Sequence, residues 1–482
     1  MRQTLEREFK LEAPSGFVLP ELPGRPLEPE ILVSTYYDTP DLRLAAFGIT
    51  LRRREQTRGP AWQLKIPRDD VRGETRIELE LDAPDDIPPP RLTRLVAAHT
   101  KGEPLRIAAT LQTDRSGVRV RGIEGDIADV VVDEVSAVVD GRATVSFTEI
   151  EAELLSDDVA ALQQLRRVLL GAGAIAGDTR PKLLQVLDVP APVAHEQPLP
   201  GDPTSIHIRA HLVTQLRALI ARDPGTRLGD DPEELHQLRV STRRLRALLR
   251  TTRPVLLGDW APALEANLGW LGRALGPVRD ADVLLERFEG RAGALSPGLQ
   301  APFLQALGPI TQARETSRSA LMLALDAPRY FELLDGLERS ALDASVDDRG
   351  PDLAELARKE FKRLKKRVLG LEERPSDDQL HAVRILGKRA RYAAEFAAPT
   401  LTRDAAPFVR YAKKLQDVLG EHQDSCIAEV QLWQLAAAVR NTDAAFAAGV
   451  VVERERHEGK RAREDFPAAW RDLKQAARNL WD

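Results

Sequence analysis

Leu5-Glu-Arg-Glu-Phe-Lys10 decides how this chain is read. Glu6, Glu8 and Lys10 are spaced two apart, with Leu5, Phe9 and Leu11 between or beside them. Side chains alternate faces along a β-strand, so both carboxylates and the ammonium share one face. Two stacked carboxylates repel each other unless a cation lies between them. A divalent ion such as Mg²⁺ suits that place, because it takes carboxylate oxygens. One such triplet also fits a solvated strand face, and the rest of the chain has to discriminate.

The same design recurs. Arg52 and Arg54 share a face, and Lys65 has Gln63 as its same-face neighbour. Arg76, Glu78 and Glu80 alternate against Thr75, Ile77, Leu79 and Leu81; Glu149, Glu151 and Glu153 alternate against Ile150, Ala152 and Leu154. An ordinary half-buried sheet wets its charged face. Here several faces are doubly acidic or doubly basic, whereas a solubility surface mixes signs. Closed into a barrel with these faces inward, the strands enclose a polar tunnel. Its acidic rows are suited to Mg²⁺ or Mn²⁺ and its basic rows to a polyanion, since arginine pairs fit phosphate oxygens bidentately. A metal bridging carboxylates and phosphates, with a bound water as nucleophile, makes a phosphoryl-transfer site.

Composition sets the bounds. The 482 residues are 43% hydrophobic and 30% charged, enough for several real cores. A formal net charge of −5 means that any anion-binding surface is local. The single cysteine, Cys426, rules out an intrachain disulfide or a cysteine-rich metal site and reads as a small buried residue. The N-terminus is charged from Arg2 and has no apolar run of the secretory type. No stretch approaches the roughly 18 apolar residues of a membrane span. A cytoplasmic protein is expected.

Residues 1–188 show short alternating segments: Gly48–Glu55, Trp62–Ile66, Thr75–Leu81, Gly117–Arg121, Asp129–Val135, Thr144–Phe147 and Glu149–Leu155. A helix is predicted over Asp157–Leu170, capped by Asp157 or Ser156 and stopped at Gly171, with a second helical patch over Arg91–Thr100. Residues 189–203 hold five prolines and read as a linker. Residues 204–482 are helical in pattern. The fold class is therefore α+β followed by all-α.

Further motifs carry a family resemblance. Glu6-Arg-Glu-Phe-Lys10, Tyr37-Asp-Thr-Pro-Asp-Leu-Arg-Leu44, Gly48-Ile-Thr-Leu-Arg-Arg-Arg-Glu55 and Trp62-Gln-Leu-Lys65 together resemble the CYTH domains, the triphosphate tunnel metalloenzymes. The resemblance covers about residues 1–188. It implies an eight-stranded antiparallel tunnel that binds a triphosphate and a divalent metal. It implies metal-binding roles for Glu6, Glu8, Glu149 and Glu151, with Glu78 or Glu80 and Asp133 as additions. It implies phosphate-binding roles for Lys10, Arg52, Arg54, Lys65 and Arg115, with Arg119 as the alternative to Arg115. Lys182, in Arg-Pro-Lys-Leu, falls where the family has a Ser-Lys pair; the serine is missing here. Glu6, Glu8 and Lys10 are the expected catalytic group.

The helical half contains a repeat. Leu235-His-Gln-Leu-Arg-Val-Ser-Thr-Arg-Arg-Leu-Arg246 matches Leu380-His-Ala-Val-Arg-Ile-Leu-Gly-Lys-Arg-Ala-Arg391, and Leu275-Gly-Pro-Val-Arg-Asp280 echoes Leu419-Gly-Glu-His-Gln-Asp424 at nearly the same offset. His236, Arg239, Arg243, Arg246 and Arg250 step by three and four, as one stripe along a helix; His381, Arg384, Lys388 and Arg391 do the same. Aligned cations repel, so a repeated stripe calls for an anionic partner. Arg358–Arg367 adds a third, denser basic segment. His422 stands where the first half has the arginine-bearing Val-Arg279-Asp, so the halves differ. These residues resemble the CHAD domain (conserved histidine α-helical domain), which implies two four-helix halves around a basic cleft that binds inorganic polyphosphate. The two repeat histidines are assigned to anion contact or cleft packing and not to metal.

The expectation is a metal-dependent triphosphatase acting on inorganic triphosphate, or on a nucleoside or thiamine triphosphate, with a polyphosphate-binding helical domain. Alternatives are a class IV-type adenylate cyclase and a non-catalytic, granule-associated polyphosphate binder. Nucleic acid is disfavoured, because no base-stacking aromatics interleave with the arginines.

Overall fold

The computed structural model describes residues 1–55, 59–68, 75–122, 125–139, 142–156, 158–178, 180–189, 197–401 and 403–481. The chain forms two compact units, residues 1–194 and 195–482. Residues 190–196, within the proline-rich stretch read as a linker, lie outside the described residues.

In the first unit eight strands close into a barrel: β1 (Arg2–Glu12), β2 (Gly24–Asp38), β3 (Thr50–Glu55), β4 (Ala61–Pro67), β5 (Thr75–Asp82), β6 (Arg106–Arg121), β7 (Asp126–Val139) and β8 (Arg142–Leu154). The order round the barrel is β1-β5-β4-β3-β2-β6-β7-β8, every pairing is antiparallel, and β8 returns to β1. Closure leaves no unpaired edge. The short helices α1 (Arg43–Ala46), α2 (Pro90–Thr93) and α3 (Ala97–Thr100), the longer α4 (Val159–Gly171) and the single turn α5 (Lys182–Val186) complete the unit.

The barrel is inverted relative to an ordinary apolar-cored one. Phe9, Leu11, Val130, Ile150 and Ala152 point outward and are buried beneath Leu162, Leu165 and Leu169 of α4. Trp62 is fully buried and donates its Nε1–H to the Asp85 carbonyl at 3.1 Å. Covering the outer face gives each strand its hydrophobic stabilisation and frees the inner face for charge.

Several boundaries differ from the sequence reading. Thr144–Phe147 and Glu149–Leu155 are one strand, β8, because Thr148 keeps the alternation. Helix α4 is capped by Asp158, whose carboxylate accepts from the Ala161 amide at 3.1 Å, in place of Ser156; Asp157 lies outside the described residues. The Arg91–Thr100 patch is broken by a 3₁₀ turn at Arg94–Val96. Strand β2 has no counterpart among the alternating segments, because Pro26 and Pro29 disguise it; a register shift between Leu27 and Glu30 absorbs Pro29.

The second unit holds α6 (Thr204–Leu228), α7 (Pro232–Thr252), α8 (Trp260–Ala292), α9 (Pro297–Ala306), α10 (Gly308–Leu325), α11 (Pro328–Asp343), α12 (Leu353–Leu369), α13 (Asp377–Ala397), α14 (Ala406–Ala438) and α15 (Thr442–Trp481). Helices α6, α7, α8 and α11 pack as one bundle, with α10 against α8; α12 to α15 pack as the other, and α7 meets α13 between them. Each bundle has an apolar interior; in the second, Phe361, Leu364, Phe408, Leu415 and Leu473 interlock. Helix α12 buries Leu356, Phe361 and Leu364, which turns most of its basic segment outward.

Candidate functional site

Strand alternation aims Glu6, Glu8, Lys10, Arg52, Arg54, Lys65, Glu78, Arg115 and Glu151 into one cavity of about 120 Å³ inside the barrel, and Lys182 enters it from the first turn of α5. Register then decides which charges meet. Lys10 lies opposite Glu151, Glu6 opposite Arg76, Lys65 opposite Glu78, and Arg115 opposite Asp133. These opposite-sign pairs stabilise the sheet. Like-sign pairings break the pattern along β8, where Glu153 faces Glu8 and Asp129, and Glu149 faces Glu12 and Asp133.

The Asp133–Glu149 pair is neutralised within the chain. Lys182 Nζ reaches Glu149 at 2.5 Å, Glu151 at 2.6 Å and Asp133 at 2.9 Å. Arg115 donates two bonds to Asp133, at 2.8 and 2.6 Å, and one to Glu151 at 2.8 Å. Lys10 bonds Glu151 directly and Glu149 at 3.2 Å. Burial pushes the Glu151 carboxyl up, but Lys10, Lys182 and Arg115 outweigh it and hold the group well below the usual range. Burial likewise works against charge on Lys10, and Glu151, Glu8 and Glu149 hold it protonated.

The Glu8–Glu153 pair is not neutralised in this way. Burial and Glu151 work against charge on Glu8, but Lys10 at 3.8 Å, Lys65 and Arg76 outweigh them and lower its pKa. Burial, then the charge of Glu6, pushes the Glu153 carboxyl up to about 7. Glu6 bonds Lys65 through one oxygen, while its other oxygen is buried without a partner. Carboxylates crowd this side of the cavity, and Glu153 yields by moving toward its neutral form.

The basic side is crowded. Arg52 donates to Gln63 at 2.9 Å and to the Tyr36 hydroxyl at 3.0 Å. Burial and neighbouring Arg52 push Arg54 down to about 10. Glu80 and Arg119, the two open alternatives, do not line this cavity; Glu80 accepts from Gln63 at 2.9 Å, and Arg119 pairs with Asp129 at 2.7 Å. Tyr36, Thr50, Gln63, Arg76 and Glu153 line it and were not among the expected site residues. Arg76 and Glu153 continue rows already visible in sequence; Tyr36 sits on the disguised β2.

In the second unit His236, Arg239, Arg243 and Arg246 lie on α7, and His381, Arg384, Lys388 and Arg391 on α13. The stripes feel each other: burial, then Arg384, Arg243 and Arg239, push the Lys388 ammonium down to about 7. The Nε groups of Arg243, Arg246, Arg279, Arg384 and Arg391 are buried and lack an acceptor. Acids reach only parts of the stripes, as Asp280 does Arg239 at 3.2 Å. Burial and Arg279 lower the His236 pKa. His381 Nδ1 lies 2.7 Å from Gln423 Oε1.

Residues 4–177 match the CYTH domain model and residues 210–433 the CHAD domain model. The chain belongs to the CYTH–CHAD family. An uncharacterized protein of Mycobacterium tuberculosis (strain CDC 1551 / Oshkosh) is 30% identical over 482 residues, spanning 94% of this chain and 91% of that one. Its counterpart in strain H37Rv matches equally. Among solved structures, PptA from Streptomyces chartreusis is 25% identical, covering 56% of this chain and all (100%) of that one, with a TM-score of 0.48. The CHAD domain from the plant Ricinus communis is 26% identical, covering 60% and 97%, with a TM-score of 0.47.

CYTH tunnel enzymes use divalent metals and bind triphosphates, and CHAD domains are linked to polyphosphate. The CYTH barrel fits an oxygen-seeking ion on two grounds. Oxygens of Asp133, Glu149 and Glu151 converge within 4.8 Å. The Glu6 oxygen that lacks a hydrogen-bond partner, with Glu8, Glu78 and Glu153 on the same cavity, adds carboxylate oxygens of the kind such an ion takes.

Proposed function

We propose that the CYTH barrel hydrolyses the terminal phosphate of inorganic triphosphate, or of a related triphosphate, with Mg²⁺ or Mn²⁺, while the CHAD unit binds inorganic polyphosphate. The observation that carries this reading is the sorting of charge inside the enclosed cavity. Arg52 and Arg54 line it from β3 on the neutral acceptors Gln63, Tyr36 and Ser34, while Glu6, Glu8, Glu151 and Glu153 line it from β1 and β8.

Lys10, Arg52, Arg54, Lys65, Arg115 and Lys182 would bind the phosphate oxygens, exchanging some carboxylate partners for the substrate. The buried guanidinium pair of Arg52 and Arg54 would gain most, since it has few anionic contacts in the free protein. Glu6, Glu8, Glu149 and Glu151 would hold the metal, with Glu78 beside Glu6, and Asp133 and Glu153 completing the acidic rows. A divalent ion held there would neutralise phosphate charge and acidify a water molecule. Enclosure by the barrel excludes bulk water and strengthens each of these contacts.

The test is phosphate release from tripolyphosphate, ATP, thiamine triphosphate and long-chain polyphosphate, each with Mg²⁺ and with Mn²⁺. Release from tripolyphosphate by wild type and not by Glu8→Ala is expected. Equal release by both, or none by either, would overturn the reading. Cyclic AMP and pyrophosphate from ATP would mark the cyclase alternative. The cavity lining offers no aromatic ring besides Tyr36, which is held on Arg52, so nothing there favours an adenine base.

A further inference from the structure

The CHAD repeat is broken at one place. Where the first half has Pro232, Val278 and Asp282, the second has Asp377, His422 and Cys426 at the same repeat positions. Asp377 opens α13, and His422 and Cys426 lie one turn apart on α14. His422 Nε2 is 3.0 Å from Asp377 Oδ1 and 3.9 Å from Cys426 Sγ. One oxygen, one nitrogen and one sulfur thus lie within 4.8 Å of one another. Cys426, expected as a small buried residue, is only partly buried.

The other ring nitrogen supplies the second observation. His422 is 4% exposed, and its Nδ1 sits 3.3 Å from the Gly459 carbonyl of α15. A carbonyl only accepts, so Nδ1 carries the proton. In a neutral ring Nε2 is then a bare lone pair facing a carboxylate oxygen. That contact requires either a second ring proton or a cation between the two. An imidazole fixed through Nδ1–H to a backbone carbonyl, with Nε2 free to ligate, is the usual outer support of a metal-binding histidine. Gly459 allows this approach: a Cβ there would come within 3.3 Å of Ser425 and 3.8 Å of His422 Nδ1. Arg463 bonds the same Asp377 Oδ1 and, at 2.7 Å, the Pro375 carbonyl, so it holds the carboxylate in place and a bound ion would share that oxygen with it or take up Oδ2.

We propose that Asp377, His422 and Cys426 form a three-ligand site for a divalent ion of the Zn²⁺ class, distinct from the barrel's metal chemistry. Tetrahedral Zn²⁺ sets its ligand atoms roughly 3.3–3.8 Å apart, so the distances present require only small adjustments. The mixed oxygen, nitrogen and sulfur set disfavours Mg²⁺, which takes oxygens. On binding, the Cys426 thiol releases its proton to solvent and ligates as thiolate, and the fourth position is left to water. The ion would tie the start of α13 to α14. His381 lies one turn further along α13, so the tie fixes the beginning of the basic stripe.

The test uses the full-length protein, freed of metal and kept reduced, titrated with Co²⁺. A thiolate-to-cobalt charge-transfer band saturating at one equivalent, and displaced by Zn²⁺, is expected. Oxygen ligands in the barrel cannot give this band, so the two sites are distinguished. Cys426→Ser should abolish the band, and His422→Gln and Asp377→Asn should each weaken Zn²⁺ binding at least tenfold, with tripolyphosphate hydrolysis unchanged. Absence of the band in folded wild type would mean that the cluster is an imidazolium–carboxylate pair and would sink the proposal. So would Zn²⁺ affinity unchanged in Asp377→Asn, the variant that serves should His422→Gln fail to fold.

Discussion

The CYTH barrel and the CHAD bundles both gather cations, and they handle the charge in opposite ways. In the barrel, register sets Lys10 against Glu151, Lys65 against Glu78 and Arg115 against Asp133, so most charges are met internally. In the bundles, the stripes of α7 and α13 converge, and among the described residues seven buried guanidinium Nε groups lack a hydrogen-bond acceptor. The difference teaches what each region is built to exchange. A paired network in which Glu6, Glu8 and Glu153 crowd one corner is suited to taking in a metal and an anion together. A surplus of unmet donors is suited to a polyanion alone.

The sharpest way to break this comparison is Glu8→Gln. Hydrolysis should fall by about 10³-fold or more, while polyphosphate affinity stays within about twofold. Loss of both, or of neither, would show that the regions are not separate in function. Next comes the stability contrast. Lys10→Met takes the nearest cation from Glu8 and leaves Glu149 and Glu151 to Lys182 and Arg115, and should destabilise the barrel by about 3 kcal/mol. Arg243→Met removes an unmet cation and should shift CHAD stability by less than about 1 kcal/mol. Native-state hydrogen exchange reads each region separately.

Charge reversal sharpens the bundle side. Arg243→Glu combined with Lys388→Glu should weaken polyphosphate binding roughly 30-fold or more and flatten its salt dependence, in filter or fluorescence binding assays. Lys388 also gives a pH signature. Its free-state value is about 7, and a bound polyanion raises it, so binding takes up a proton above pH 7. Affinity should be level below pH 7 and fall as pH rises beyond it, by at most about tenfold per unit; Lys388→Arg should remove this slope. The smallest effect belongs to Arg119→Ala. Paired with Asp129 away from the cavity, it should change tripolyphosphate hydrolysis by less than about twofold, while Arg115→Ala reduces it by more than about tenfold.

Local alternation made much of the barrel legible. Glu6, Glu8 and Lys10, or Arg52 and Arg54, reveal their shared face because a strand's period is two and needs no partner to be read. Arg115 and Arg119 share that parity, so nothing local separates them; only the pairing of β6 with β7 sets Arg115 opposite Asp133. Glu153 was visible in the Glu149–Glu151 row, but its importance comes from facing Glu8 across the β1–β8 seam. Strand β2 was concealed by its prolines, and Tyr36 with it. In the CHAD unit the stripes followed from helical spacing, whereas the constellation of Asp377, His422 and Cys426 joins residues of two helices.

Sequence by itself determined the two classes of architecture, the charged faces and the duplicated stripes, since these follow from periodicity within single elements. Tertiary structure alone decided which charges confront each other, which are satisfied and which are left over. Strand register and helix packing bring together residues far apart in the chain, and electrostatic energy depends on those distances and on burial, neither of which a single element encodes.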